Sequence, residues 1–513
     1  MQKSKSVKSK ICAAIAGGSA LALFLSGCAR NQLSDVVPPV VDKTVDYTKQ
    51  EITWGSCPNT NLATPRDAEC AYIEAPLDWS KPEAKEAVKL QLTKLPSKSE
   101  NPKGTIFANP GGPGASGVNF VLGSAQAFEQ LRETYDIVGW APRGVEASSA
   151  VKCYTNQELD ESLYGNEKTP EPGTQAWLNE VHKSNKELSE RCESYTGSLY
   201  KHVGTRSTVQ DLNLMRELVG DAKLNYIGLS YGTYIGARYA EMFPQHVGKV
   251  VLDGALKPDA DASEVIAVQT KGFENALKNY WKYCVSVECS TEKTVADGMK
   301  MVSKLLADVK VDPIKAADGR WVTDSVLLTA IVTPLYSENM WPLLEGLFQS
   351  VKNRDTGPAL DLADQYHNRV DGKYTDNSNS AFTAINCADY PPQQPDLAAM
   401  RADAAKLAQD APVFGPYQGY GGVSCWGWQA AGDPQRAKPI SAPGAEPILV
   451  IGTTGDPATP YEWAEDLAAQ LESASLITYV GEGHVAFGRS SCVTQKVTEF
   501  FNGAPAAPAT CTQ

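Results

Sequence analysis

Three short stretches of the sequence carry residue types that could do chemistry together. In Gly228-Leu229-Ser230-Tyr231-Gly232 a serine sits between two glycines, after an apolar strand pattern and before a helical one. A tight strand–turn–helix forces such a serine into a strained backbone, and the flanking glycines avoid side-chain clashes. Its hydroxyl then projects above a sheet edge, where the helix N-terminus favours developing negative charge. Downstream, Asp456 lies in Gly455-Asp456-Pro457-Ala458-Thr459-Pro460 and His484 in Gly481-Glu482-Gly483-His484, each just after a short apolar run. In that chain order, Ser230 would attack a carbonyl and His484 would take its proton and pass it to the leaving group. Asp456 would orient the imidazole and stabilise its charged form. Asp253, in Leu252-Asp253-Gly254, also follows a strand pattern and is the alternative acid. His182, His202, His246 and His367 have no comparable setting.

A fourth stretch, Asn109-Pro110-Gly111-Gly112-Pro113-Gly114, follows a short strand pattern. Its glycines let backbone amides approach an oxyanion, so Gly111, Gly112 and the Tyr231 N–H are the predicted oxyanion hole. A phosphate loop is the poorer reading. The G-x-x-x-x-G-K-[ST] pattern is absent, and the prolines remove amide donors.

These residues need a scaffold that brings strand ends together. Apolar runs at 88–92, 105–107, 135–139, 225–229, 249–252, 448–451 and 476–480 read as strands. Residues 207–218, with Ser207 as N-cap and Gln210 as its capping-box partner, and residues 234–242 read as helices. Strands alternating with helices predict an α/β fold, a mostly parallel central sheet covered on both faces. Triad order and elbow together place it in the α/β-hydrolase class. Between 258 and 438 the patterns turn helical, at 265–283, 294–309, 324–331, 341–351 and 396–407. A helical block between strands of one sheet reads as an inserted lid domain. The expected division is a signal peptide at 1–28, a tether at 29–49, core at 50–257, lid at 258–438 and core again at 439–513.

The N-terminus supplies the address. Lys3, Lys5, Lys8 and Lys10 precede an apolar small-residue stretch that closes on Leu25-Ser26-Gly27-Cys28. This is the pattern of a bacterial lipoprotein signal, with lipid on Cys28, as against a plain secretory signal. The protein is then expected at the outer face of the bacterial cell membrane, held only through that lipid. Of the 12 cysteines, ten follow the signal. Outside the cytoplasm an even number suggests disulfides. Spacing invites the local pairs Cys57–Cys70, Cys153–Cys192, Cys284–Cys289, Cys387–Cys425 and Cys492–Cys511. A metal site is the weaker reading, because the chain has five histidines, no C-x-x-C and no H-E-x-x-H. The net charge is −13, and the first 28 residues hold four lysines and no acid, so the exported chain is more acidic still. That argues against nucleic acid or anionic lipid as the main partner.

Taken together, Asn109-Pro110-Gly111-Gly112-Pro113-Gly114-Ala115-Ser116-Gly117, Trp140-Ala141-Pro142-Arg143-Gly144, Gly228-Leu229-Ser230-Tyr231-Gly232-Thr233 and the Asp456 stretch resemble secreted tripeptidyl aminopeptidases of actinobacteria. These are proline-iminopeptidase-like α/β-hydrolases, and the resemblance covers roughly residues 50 to 500. It departs from the family pattern at 140–148, outside the three catalytic candidates. The resemblance implies a cofactor-free serine exopeptidase acting on free peptide or protein N-termini. Such an enzyme must count residues from a charged amine, and a lid carboxylate is the natural counter. Asp389 is the first candidate, with Glu338 and Glu274 behind it. The rival readings are an envelope esterase or lipase with the same triad and a non-catalytic solute-binding lipoprotein.

Overall fold

The computed structural model describes residues 46–58 and 65–512. The signal segment with Cys28 and most of the tether lie outside the described residues. A ten-stranded sheet organises the chain. Its strands are β1 (Gly55–Ser56), β2 (Glu69–Pro76), β3 (Ala87–Leu95), β4 (Thr105–Asn109), β5 (Asp136–Trp140), β6 (Leu224–Leu229), β7 (Val247–Asp253), β8 (Ile448–Gly455), β9 (Ala474–Glu482) and β10 (Ala509–Thr512). Their spatial order is β1-β2-β3-β5-β4-β6-β7-β8-β9-β10. The first three join antiparallel, and from β5 onward every pair is parallel.

The seven apolar runs read as strands all lie in this sheet. Central β4 is buried along its whole length, as a strand covered on both faces must be. Three strands escape the pattern: the short edge strand β1 and the tail strand β10 have too few apolar residues to signal themselves, and β2 has its apolar residues interrupted by Glu69, Glu74 and Pro76. β10 is the proline- and alanine-rich tail, paired to β9 and tied by the disulfide Cys492–Cys511. All five disulfides suggested by spacing are formed.

Register decides what the strand ends can do. Asn109 pairs with Gly228, Leu229 with Asp253, and Asp253 with Ile451. The loops after β4, β6, β7 and β8 therefore leave one edge of the sheet side by side. In open α/β sheets the carboxyl ends of strands are where ligands bind.

Five predicted helices of the inserted block are present, as Ala262–Ser286, Val295–Val311, Asp324–Leu335, Pro342–Lys352 and Leu397–Asp410. Asp261, Thr294 and Thr323 cap the first three by accepting an amide hydrogen bond in the opening turn. Leu306, Leu327, Ile331, Leu344, Leu347 and Phe348 bury themselves in a core of their own. The end of the block behaves differently. Ala381, Ile385 and Cys387, on the helix Ser378–Asp389, and Trp428 join the core of the sheet. Among the described residues no helix is long and apolar enough to cross a membrane.

One local rule fails. The helix expected from 207 starts earlier, at Thr205–Leu218, with Gly204 as N-cap and no side-chain cap of its own. Ser207 lies inside the helix. The Thr205 amide is taken instead by Asp389, 184 residues away in sequence. A tertiary carboxylate has replaced the local cap.

Candidate active site

Ser230 stands between the last residue of β6 and the first of the helix Tyr231–Met242, at φ 55° and ψ −126°. A left-handed φ on a serine is strained backbone, and it is held by neighbours. The Ser230 N–H donates to Asp253 O at 2.9 Å, and Ser230 O accepts from Thr233 N at 2.8 Å and Thr233 Oγ1 at 2.6 Å. A side chain at Gly228 would lie 2.4 Å from Gly232 O, and one at Gly232 would lie 2.7 Å from Asn109 O. Both glycines of the elbow are required by close backbone approach.

The loop after β4 lies directly on this turn. A Cβ at Gly111, whose φ is +95°, would meet Leu229 O at 2.5 Å and Tyr231 N at 2.8 Å. The expectation for Gly111 needs correcting. Its N–H donates to Asn109 Oδ1 at 2.9 Å and is not free for an oxyanion. That bond fixes the loop and takes the Gly111 amide out of the predicted set, of which Gly112 and Tyr231 remain as candidates.

Asp456 and His484 come together after β8 and β9. His484 Nδ1 lies 2.9 Å from both Asp456 oxygens. Asp456 is buried, and it also accepts from Ala458 N, Thr459 N, Thr459 Oγ1 and Val485 N at 2.8–3.1 Å. These donors hold the carboxylate in place against the imidazole. Because Nδ1 is engaged, Nε2 is the ring nitrogen left for proton transfer. The His484 Cε1 atom lies 3.4 Å from a Cβ built on Gly254, at the end of β7 beside the elbow strand. The inserted block supports the histidine from the other side. Tyr336 O accepts from His484 N at 2.9 Å, and the two rings meet edge to face at 5.6 Å.

Asp253 does not contact the histidine ring through a hydrogen bond. Its Oδ2 accepts from Ala486 N at 2.9 Å and Phe487 N at 2.6 Å, while its buried Oδ1 has no partner. Burial, resisted by those two amides, pushes its pKa up to about 6.

The predicted amine-binding carboxylates are placed very differently from one another. Asp389 is 2% exposed, and both its oxygens accept from Thr205, the amide at 2.7 Å and the hydroxyl at 2.5 Å. Glu274 is 1% exposed and accepts from Val413 N and Phe414 N. Neither offers a free face to a substrate amine, which corrects the first choice. Glu338 is half-buried, two residues after Tyr336, and its charge raises the pKa of half-buried Glu482, after burial itself the main cause. Asn279 Nδ2 donates to both Glu482 oxygens, at 2.9 and 3.0 Å. Sequence reasoning missed Glu482. The available signal was an acid two positions before the histidine, at a strand end.

Comparison with known proteins bears on the fold and the family. Residues 104–286 match the model described as "alpha/beta hydrolase fold", and residues 411–511 match that described as "TAP-like protein". Serine protease Hip1 of Mycobacterium tuberculosis (strain ATCC 25618 / H37Rv) is 34% identical over 96% of this chain and 95% of its own. Carboxylesterase B of the same strain is 33% identical over 88% of this chain and 87% of its own. Tripeptidyl aminopeptidase of Streptomyces coelicolor is 28% identical over 90% of this chain and 86% of its own.

Proposed function

The chain belongs to the TAP-like family of α/β-hydrolases and is a serine hydrolase, and from that premise we propose that it is an exported aminopeptidase releasing short peptides, tripeptides first, from free N-termini. The observation that carries the catalytic part is the buried Asp456 holding His484 by Nδ1 above the strand next to the Ser230 elbow. In the reading we adopt, His484 Nε2 takes the Ser230 proton as Oγ bonds to the scissile carbonyl carbon. The carbonyl oxygen, now negative, is met by the Gly112 and Tyr231 amides. The C–N bond breaks as His484 returns the proton to the leaving amine. Water then repeats the sequence on the acyl-enzyme and frees Ser230.

For the amine, Glu338 and Glu482 are the better candidates, since they neighbour Tyr336 and His484 and keep partial exposure. The helical block at 258–438 would act as the lid that gives the cleft its depth. The lipobox at Cys28 supports anchorage to the outer face of the cell membrane. Partition of the mature protein into detergent, abolished by Cys28→Ser, tests that part.

A second reading, esterase, is favoured by the resemblance to a protein named carboxylesterase B. Chromogenic tripeptide amides, free and N-acetylated, assayed beside short-chain esters, separate the two. Acetylation removes the charge and leaves a carboxylate unpaired, so kcat/KM should fall by at least about 100-fold. Equal cleavage of free and blocked peptides, with esters preferred, would replace the aminopeptidase reading by the esterase one.

A further inference from the structure

Asp389 is a buried carboxylate on the last turn of the helix Ser378–Asp389, within the inserted block, yet it makes no bond with the rest of that block through its side chain. Its chain neighbourhood is firmly tied. Cys387 is bonded to Cys425, and Asp389 O accepts from Asp433 N at 2.8 Å. Its side chain reaches across to the helix Thr205–Leu218, in the sheet-bearing part of the chain.

The contacts then lead to the elbow. Thr205 Oγ1 lies within hydrogen-bond reach of two oxygens, Asp389 Oδ2 and the Tyr231 hydroxyl. A threonine hydroxyl has one proton. A carboxylate can only accept, so that proton goes to Asp389, and the Tyr231 O–H must donate to Thr205 Oγ1. The chain of bonds therefore has one direction: Tyr231 to Thr205 to Asp389. Tyr231 directly follows Ser230, is 6% exposed, and carries one of the two candidate oxyanion amides. Arg436 completes the surroundings. It stacks on Tyr234 and Tyr390 with its guanidinium carbon 4.3 and 4.2 Å from the ring centres. Burial pushes the Asp389 pKa up to about 6, opposed by its two Thr205 bonds and then by the charge of Arg436, so the bond direction given above is that of the carboxylate present at neutral pH.

We propose that Asp389 is a positioning residue for the oxyanion hole: through the Thr205 hydroxyl it fixes the Tyr231 side chain, and thereby the direction of the Tyr231 N–H. The inserted block thus sets the catalytic geometry of the sheet edge as well as covering it. This rests on Ser230 being the nucleophile and the Tyr231 amide an oxyanion donor. Asp389 and Thr205 touch no reacting atom, and they act through Tyr231. Backbone donors in an oxyanion hole work only when aimed at the position the oxygen takes in the transition state.

Three single variants, Tyr231→Phe, Thr205→Val and Asp389→Asn, and the double Tyr231→Phe/Thr205→Val test this. Each single change should lower kcat about tenfold with KM within twofold, a smaller loss than the roughly 100-fold of deleting a donor outright. The double variant should be no worse than the poorer single one, since both cut the same chain. The readout that packing alone would not move is inhibition by a peptidyl trifluoromethyl ketone, whose serine adduct places an oxyanion in the hole. Its Ki should rise in step with the fall in kcat, while binding of the tripeptide product stays unchanged. Tyr231→Phe removes a single oxygen and keeps the test valid should Asp389→Asn fail to fold. Unchanged kcat and Ki in Tyr231→Phe and Thr205→Val would overturn the proposal. So would a rise in KM in Asp389→Asn confined to free-amine substrates, which would return Asp389 to the amine site. Failure of the ketone to inhibit the wild type would instead remove the nucleophile assignment beneath it.

Discussion

Asp253 and Asp456 end neighbouring strands and are nearly interchangeable in sequence, each an acid after an apolar run and beside a glycine. Their surroundings part them. Asp456 meets the imidazole with both oxygens at 2.9 Å and collects four further donors. Asp253 meets two backbone amides of the segment after the histidine, and one of its oxygens is left bare in the core. One carboxylate is set to orient the imidazole, while the other clamps a loop and is pushed up to about 6 by burial. Burial alone does not make a catalytic acid, because both are buried. The donor set and the imidazole make the difference.

The largest effect expected from this contrast is on turnover. Asp456→Asn should cut kcat by about 10⁴, as loss of the correct imidazole tautomer does in other triads. Asp253→Asn should leave kcat within about tenfold, since it keeps an acceptor for the Ala486 and Phe487 amides. Steady-state kinetics of the two variants decide between them, and a crippled Asp253→Asn beside an active Asp456→Asn would reverse the assignment.

Next in size is Thr459, whose hydroxyl donates to Asp456 Oδ2 at 2.9 Å. Thr459→Val removes one donor of several, so kcat should fall by up to about tenfold, in line with the roughly 0.5–1.5 kcal/mol of a typical hydrogen bond. No change in kcat would mean the remaining donors hold Asp456 unaided.

The smallest effect on turnover, but a clear one on stability, comes from Asp253 itself. Its folded pKa of about 6 lies above the ordinary 3.8. The folded state therefore binds the proton more tightly than the unfolded chain. The associated stability is present below about pH 4 and is lost as pH rises through about 6. Asp253→Asn removes this dependence. Between pH 4 and 7 the variant should gain on the wild type by up to on the order of 3 kcal/mol, read by denaturant unfolding at each pH. A stability difference that stays flat across that range would contradict the burial argument.

The same contrast explains what the sequence could tell. The elbow was legible because its requirements are local: two glycines, a serine, a strand before and a helix after. Asp456 and His484 were legible from their order and from glycine-rich turns after apolar runs. Asp389 was misread because its partner, the amide of Thr205, lies 184 residues away, and no local pattern marks a tertiary helix cap. Ser207 was misread as a cap for the same reason. Gly111 looked like a donor because the pattern cannot show that Asn109 already takes its amide. The helix Gln175–Thr196 escaped notice because only Leu178, Leu188, Ser189 and Cys192 of its 22 residues are buried, too few for a clear apolar stripe.

The central claim is that Ser230 is the nucleophile of this site. Reaction of the wild type with a fluorophosphonate probe, followed by peptide mapping by mass spectrometry, tests it most directly. The adduct is expected on Ser230, with complete loss of labelling in a folded Ser230→Ala variant. An adduct on any other residue, or labelling of Ser230→Ala at the wild-type rate, would contradict it.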